Sequence, residues 1–122
     1  MAKVLVIEDE EILRESILNV LKISGFNAIE ARDGRSGLHL AKKMVPDLIL
    51  CDIRMPECDG YEVLRAIRQD PLTATIPVVF LTAESRQTVI SQGQHLGANG
   101  YLSKPFTTAQ LLAEINKELR EY

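Results

Sequence analysis

The sequence predicts an α/β domain: a doubly wound parallel sheet of five strands with helices on both faces, a three-layer sandwich. Two observations predict it. The runs Val4-Leu5-Val6-Ile7, Leu48-Ile49-Leu50-Cys51 and Val78-Val79-Phe80-Leu81 are short, continuously apolar and rich in β-branched residues, as strands buried on both faces of a parallel sheet are. Segments with apolar residues at helical spacing separate them, and right-handed crossovers then stack those helices on both sides of the sheet. Each run also ends abruptly on a polar group. The first meets Glu8-Asp9, the second Asp52 and the third Thr82, while a shorter run, Gly100-Tyr101-Leu102, leads to Lys104-Pro105. The carboxyl ends of parallel strands share one edge of the sheet, so these groups converge on a single crevice.

In chain order, the first strand precedes a helix carrying Ile12, Leu13, Ile17, Val20 and Leu21, with Gly25 as its stop signal. Ala28-Ile29-Glu30-Ala31 is a short strand closed by Asp33-Gly34. A second helix runs from about Arg35 to Met44, with Leu38, Ala41 and Met44 on one face, and stops before Pro46. The third strand opens into the loop from Ile53 to Asp59. Gly60 then begins a helix carrying Val63, Leu64 and Ile67, which ends at Asp70-Pro71. Pro77 opens the fourth strand, where a first-residue proline is tolerated. The helix from about Ser85 to Leu96 has few apolar anchors (Val89, Ile90, Leu96) and an internal Gly93, which makes it a candidate for mobility. The last helix starts near Thr107 or Thr108, either of which can cap it, and carries the stripe Leu111, Leu112, Ile115, Leu119. The three most apolar runs take the centre of the sheet and the mixed ones near 28–31 and 100–102 the edges. The strand order is then 2-1-3-4-5, with a topological switch between strands 1 and 3.

At 122 residues, 46% hydrophobic and 25% charged, the chain has the bulk of one globular domain spanning 1–122. A net charge of −3 gives it no electrostatic attraction for nucleic acid. Cys51 reads as strand packing and Cys58 as a loop thiol, and the central-strand position of Cys51 argues against a disulfide. The first apolar run is too short for a signal peptide or a membrane span, so a cytoplasmic protein is expected.

Glu8, Asp9 and Asp52 meet at the switch point. Carboxylates at such close quarters repel unless a cation joins them, and oxygen-only ligands favour a hard ion, Mg²⁺ above others. Asp52 is then the candidate nucleophile, able to attack phosphorus and form an acyl phosphate. Lys104 and Thr82, at the ends of neighbouring strands, offer an ammonium and a hydroxyl to the phosphoryl oxygens.

The segments VLVIEDE, DLILCDIRMPECDGYEVL, PVVFLTA and GANGYLSKPF, in this order and spacing, span nearly the whole chain. In them the sequence resembles a response regulator receiver domain of two-component signalling, whose fold is flavodoxin-like. The resemblance implies that Asp52 accepts a phosphoryl group from the phosphohistidine of a sensor histidine kinase or phosphotransfer protein. It implies that Asp9, Asp52 and the backbone carbonyl of Arg54 bind Mg²⁺ directly and Glu8 through water. Lys104 would hold the phosphoryl oxygens, Thr82 would close on them, and Tyr101 would turn inward as Thr82 moves. The Lys104-Pro105 bond would be cis and aim the lysine inward. Such a domain is a signalling phosphoacceptor rather than an enzyme, although it assists its own phosphorylation and dephosphorylation.

Two departures bear on partners. The winged-helix branch of the family has paired acids before the strand-5 aromatic and basic residues along the last helix. Here those places read Asn99-Gly100 and Ala113-Glu114-Ile115-Asn116, so the resemblance does not carry that branch's homodimer over. Arg54 and Glu84, two residues beyond Asp52 and Thr82, are expected to meet across the crevice mouth and hinder an attacking water. Output is expected through an unidentified protein or domain docking on the face formed by the helix near 85–96, Tyr101 and the last helix. Other readings fit less well. A phosphatase needs a second acid where Arg54 stands, and a flavodoxin-like electron carrier needs a phosphate-cradling loop where Glu8 to Glu11 would repel one. A receiver kept only as a binding module would not need the full set Asp9, Asp52, Thr82 and Lys104.

Overall fold

Val4 to Ile7, Leu48 to Cys51 and Val78 to Leu81 are all 0% exposed, which requires cover on both faces of the sheet. A computed structural model of the chain describes residues 1–83, 87, 91 and 97–120. Strands β1 (Lys3–Ile7), β2 (Asn27–Ala31), β3 (Leu48–Asp52), β4 (Val78–Thr82) and β5 (Gly100–Ser103) form one parallel sheet in the order β2-β1-β3-β4-β5. The described helices are α1 (Glu11–Ile23), α2 (Gly34–Met44), α3 (Gly60–Gln69) and α4 (Thr108–Leu119). Side chains alternate along each strand. Leu5, Ile7, Ile49, Cys51, Val78 and Phe80 face α2 and α3, while Val4, Val6, Leu48, Leu50, Val79 and Leu81 face α1 and α4. This is the doubly wound arrangement the apolar runs predict. None of the described helices is long and apolar enough to cross a membrane.

The helix boundaries have local causes. Gly25, at φ +90, turns the chain after α1, and Phe26 N–H donates back to the Leu21 carbonyl at 2.9 Å. Asp33 caps α2 by accepting from Ser36 N–H at 2.8 Å. Reciprocal capping boxes, Asp59 with Glu62 and Thr107 with Gln110, start α3 and α4. Gly60 lets α3 begin directly behind the end of β3. A Cβ there would stand 2.5 Å from the Asp52 carbonyl oxygen and 2.8 Å from Ile53 Cα.

The structure departs from the sequence expectations in two places. Pro77 lies just before β4 rather than inside it, its carbonyl accepting from Ile49 N–H at 3.0 Å. The buried stripe of α1 is Arg14, Ile17, Leu18 and Leu21. Ile12, expected on that stripe, is 79% exposed, because the helical phase that buries Ile17 and Leu21 turns it outward. The helix expected from about Ser85 to Leu96 lies outside the described residues apart from Gln87 and Ser91, and so does Glu84.

Candidate functional site

The sheet register builds the site. Ile7 pairs with Cys51, so the next residues, Glu8 and Asp52, leave adjacent strands side by side on the α1/α4 face. Thr82 pairs with Ser103, which delivers Lys104 to the same edge. The Lys104–Pro105 peptide bond is cis, and Lys104 N–H donates to the Thr82 carbonyl at 2.7 Å. Lys104 Nζ stands 3.2 Å from Asp52 Oδ1 and 3.1 Å from Glu8 Oε1. One ammonium thus bridges two carboxylates that belong to neighbouring strands.

Both carboxylates are sunk in protein, Glu8 at 0% and Asp52 at 6% exposure. Glu8 is held through its backbone and its side chain: its N–H donates to the Ala31 carbonyl at 3.1 Å, and its Oε2 accepts from Glu10 N–H at 3.1 Å. Asp52 Oδ1 accepts from Ile53 N–H at 2.9 Å. Burial dominates the electrostatics of Glu8 and, assisted by the nearby Asp52 charge, pushes its pKa up to about 7 against the pull of Lys104. Burial also raises Asp52, and Lys104 opposes it. For Lys104, burial works against the ammonium, yet the two carboxylates outweigh it and its pKa is raised.

Oxygen atoms of Glu8, Asp9 and Asp52 lie within 4.8 Å of one another. Glu8 Oε1 is buried with an ion pair to Lys104 but no aligned hydrogen-bond donor. An all-oxygen donor set with excess negative charge and an unsatisfied inner oxygen fits a hard divalent cation.

The sequence-predicted residues divide by position. Asp52, Glu8 and Lys104 are in direct contact, and Asp9, which is exposed, completes the acidic cluster. Thr82, 2% exposed, ends the strand beside Asp52. Arg54 is exposed on the loop after β3, and its expected partner Glu84 falls outside the described residues. Tyr101 is half-buried against Phe80, with ring centroids 6.1 Å apart, and Phe80 in turn meets Tyr61 edge-on at 5.5 Å. The Tyr101 hydroxyl is buried with no hydrogen-bond partner among the described residues. Cys51 and Cys58 are both free thiols. Sequence reasoning missed Arg14, whose guanidinium donates to the Glu8 carbonyl at 2.9 Å. Its signal was spacing: three, four and seven residues before Ile17, Leu18 and Leu21, it falls on the inward face of α1.

Comparison with known proteins follows the same lines. The family model described as "Response regulator receiver domain" matches residues 4–116. The chain is 37% identical over 120 residues to the DNA-binding dual master transcriptional regulator RpaA of Synechocystis sp., covering 98% of this chain and 50% of that protein. It is 34% identical to the phosphate regulon transcriptional regulatory protein PhoB of Pseudomonas aeruginosa, covering 96% and 51%. The chain therefore spans about half the length of these curated relatives. Among solved structures, chemotaxis protein CheY4 of Vibrio cholerae superposes with a TM-score of 0.94 at 34% identity, covering 98% of this chain and 99% of that one. The receiver domain of sensor histidine kinase PA1611 from Pseudomonas aeruginosa, solved with a magnesium ion coordinated in its active-site cleft, gives a TM-score of 0.89 at 30% identity, covering 97% of each chain. With residues 4–116 matched by the family model and relatives above 30% identity along nearly its whole length, the chain belongs to the response regulator receiver domain family.

Proposed function

We propose that residues 1–122 form one receiver domain, in which Asp52 is the phosphoacceptor of a two-component phosphorelay. The donor is the phosphohistidine of a sensor histidine kinase or phosphotransfer protein. The observation that carries this reading is the contact of Lys104 with both Asp52 and Glu8 at the sheet's switch point, with Asp9 beside them. A carboxylate oxygen of Asp52 attacks phosphorus, the new O–P bond forms as the P–N bond of the donor breaks, and the electron pair stays on the imidazole nitrogen. Glu8, Asp9, Asp52 and the backbone carbonyl of Arg54 would hold Mg²⁺, directly or through water. When bound, Mg²⁺ offsets the charge of the incoming phosphoryl group.

The protein's own groups do the rest. The Lys104 ammonium, already paired with Asp52, shifts its contact to the phosphoryl oxygens as they arrive. Thr82 supplies a hydroxyl donor from the next strand. Its movement toward the phosphoryl group vacates space that Tyr101, already packed on Phe80, turns into. The output is a population shift between two packings, read by a partner or output domain that binds one of them better. A groove lined by Leu13, Ala83, Pro105 and Phe106, with Glu10 and Lys104 among its walls, offers the donor a surface that reaches the lysine paired with Asp52. At a net charge of −3, DNA contact of the kind named for RpaA would fall to an output domain or partner. A cytoplasmic location belongs to the same reading.

Incubation with acetyl phosphate and Mg²⁺, followed by intact mass, tests it. The expected result is an adduct of about 80 Da, one phosphoryl group, on the wild type and none on Asp52→Asn. A wild type that stays unmodified, or an equal adduct on Asp52→Asn, overturns the assignment.

A further inference from the structure

We infer that Arg14 is a positioning residue for the divalent-ion site: it fixes the peptide plane between Glu8 and Asp9 and thereby sets the affinity for the ion. The inference rests on the reading that Glu8, Asp9 and Asp52 hold a divalent cation.

Arg14 is out of place by ordinary criteria. A cation in the first turn of a helix opposes the helix dipole, and arginine is rarely buried without strong partners. Yet the side chain is 10% exposed and stands on the inward stripe of α1. Its partners explain the position. Nη1 donates to the Glu8 carbonyl at 2.9 Å, and Nε donates to Glu30 Oε1 at 3.1 Å. Glu30 comes from β2, and its side chain is 58% exposed, so the pair anchors the guanidinium to the sheet edge.

The carbonyl is the informative contact. Glu8 is the first residue past β1, so its C=O has left the strand ladder. That C=O belongs to the same rigid peptide plane as the N–H of Asp9. Holding the oxygen fixes the direction in which the chain enters Asp9. Glu8 itself is fixed elsewhere, by Ala31, Glu10 and Lys104. Asp9, by contrast, is exposed. The chain beyond it is held at Glu10, whose N–H donates to Glu8 Oε2 and whose carbonyl accepts from Arg14 N–H. The chain before it is held by the Arg14 side chain at the Glu8 carbonyl. Releasing the side-chain bond loosens the peptide plane that enters Asp9 while the buried pair Glu8–Asp52 stays in place.

Two effects of Arg14 on a bound cation oppose each other. Its charge repels the ion, whereas its hold on the peptide pre-orients a ligand. Groups that orient metal ligands from one layer out typically change affinity by about 10–100-fold when removed, whereas a charge partly neutralised by its own partner, here Glu30, contributes less. Geometry therefore decides, and removing Arg14 weakens binding.

The test is a Mg²⁺ titration of the full chain, followed by NMR at the backbone amides of Asp9 and Asp52, for wild type, Arg14→Met and Arg14→Lys. The rate of phosphorylation by acetyl phosphate at saturating Mg²⁺ is measured alongside. The expected result is a dissociation constant raised about tenfold in Arg14→Met. The lysine variant, with a single donor for the carbonyl, should recover part of the loss, and the saturating rate should stay within about twofold of wild type in both. General destabilisation does not alter the affinity of the folded fraction, so the constant separates positioning from mere support. Unchanged or tighter Mg²⁺ binding in Arg14→Met overturns the inference, as does a large fall in saturating rate with the constant unmoved. Should Arg14→Met fail to fold, Arg14→Lys decides by the same criterion. A wild type that binds no Mg²⁺ removes the metal reading itself, which is a different failure from a wild type and variants that bind alike.

Discussion

Val45 closes α2 in the left-handed region, at φ 44 and ψ 67, where a β-branched side chain is most strained. The conformation costs an L-residue roughly 1–2 kcal/mol, and glycine avoids it at an unfolded-state entropy cost of about 0.4–1 kcal/mol. Val45 is 43% exposed, so truncation sacrifices little burial, and the bond from its N–H to the Ala41 carbonyl at 2.9 Å survives the change. Val45→Gly is therefore expected to stabilise the protein by about 0.5–1 kcal/mol, read as a higher urea midpoint at unchanged slope. A midpoint equal to or below wild type contradicts the strain argument. Glu57 shares the left-handed conformation, at φ 68, but it sits on the loop that follows Asp52. The two residues thus break the same local rule in different settings, one at a helix end and one on the loop after β3.

Among the described residues, Arg68 joins α3 to the start of β5. Arg68 donates from Nε and Nη2 to the Gly97 carbonyl at 3.1 and 2.8 Å, and from Nη2 to Asn99 Oδ1 at 2.6 Å. From Nη1 it reaches the Ala74 and Ile76 carbonyls at 3.2 and 2.6 Å. Asn99 Oδ1 also accepts from Val78 N–H at 2.9 Å, so the guanidinium ties the end of α3, the 70–76 turn, the entry to β4 and the entry to β5 into one unit. Arg68→Ala is expected to cost about 2–3 kcal/mol, since it strands several acceptors at once, and to speed amide exchange at Val78 and Asn99. Arg68→Lys should recover less than half, because an ammonium cannot reproduce the planar fork. Undiminished stability in Arg68→Ala would show the turn and strand entries to be held by other contacts. This element also marks the boundary of what the sequence makes legible. Strand order and the cluster of Glu8, Asp52 and Lys104 can be read because continuous apolar runs identify buried parallel strands, and whatever follows such a run must face the crevice. Arg14 and Arg68 cannot be read that way. Helical spacing places Arg14 on the inward face of α1, but which acceptor an arginine serves appears only in the fold, the Glu8 carbonyl for one and the Gly97 carbonyl for the other. Ile12 misled for the reverse reason, since an apolar residue near a helix start can serve either phase.

Folding the whole chain concentrates like charge, so its stability is expected to depend on pH and, at the proposed cation site, on divalent ions. Glu8 is raised by burial from its ordinary 4.5 to about 7 in the folded state, and Asp52 is raised as well. A carboxyl with a raised folded pKa binds its proton more tightly in the fold. Its contribution is complete below the unfolded value and is lost as pH climbs through the folded one. In the absence of divalent ions, stability is therefore expected to decline between about pH 4.5 and 7, by up to about 3 kcal/mol from Glu8 at roughly 1.4 kcal/mol per pKa unit. Asp33 acts at the other end. Its pKa is lowered by the cap bonds to Ser36, so its contribution is present above the ordinary value of 3.8 and lost as pH falls below it. Metal binding requires the ionised carboxylates, so Mg²⁺ competes with the protons that stabilise the acidic form. At pH 8 a Mg²⁺ concentration ten times its dissociation constant should add about 1.4 kcal/mol, and at pH 5 far less. Glu8→Gln should flatten the decline with pH, because an amide has no charge to bury, while also weakening the response to Mg²⁺. Thermal unfolding of wild type and Glu8→Gln at pH 5 and pH 8, with and without Mg²⁺, measures all of this in one grid. If Mg²⁺ shifts the wild-type melting temperature equally at both pH values, the ion is not binding to the buried acids. If Glu8→Gln leaves the pH dependence untouched, the carboxyl at the end of β1 is not the group that titrates.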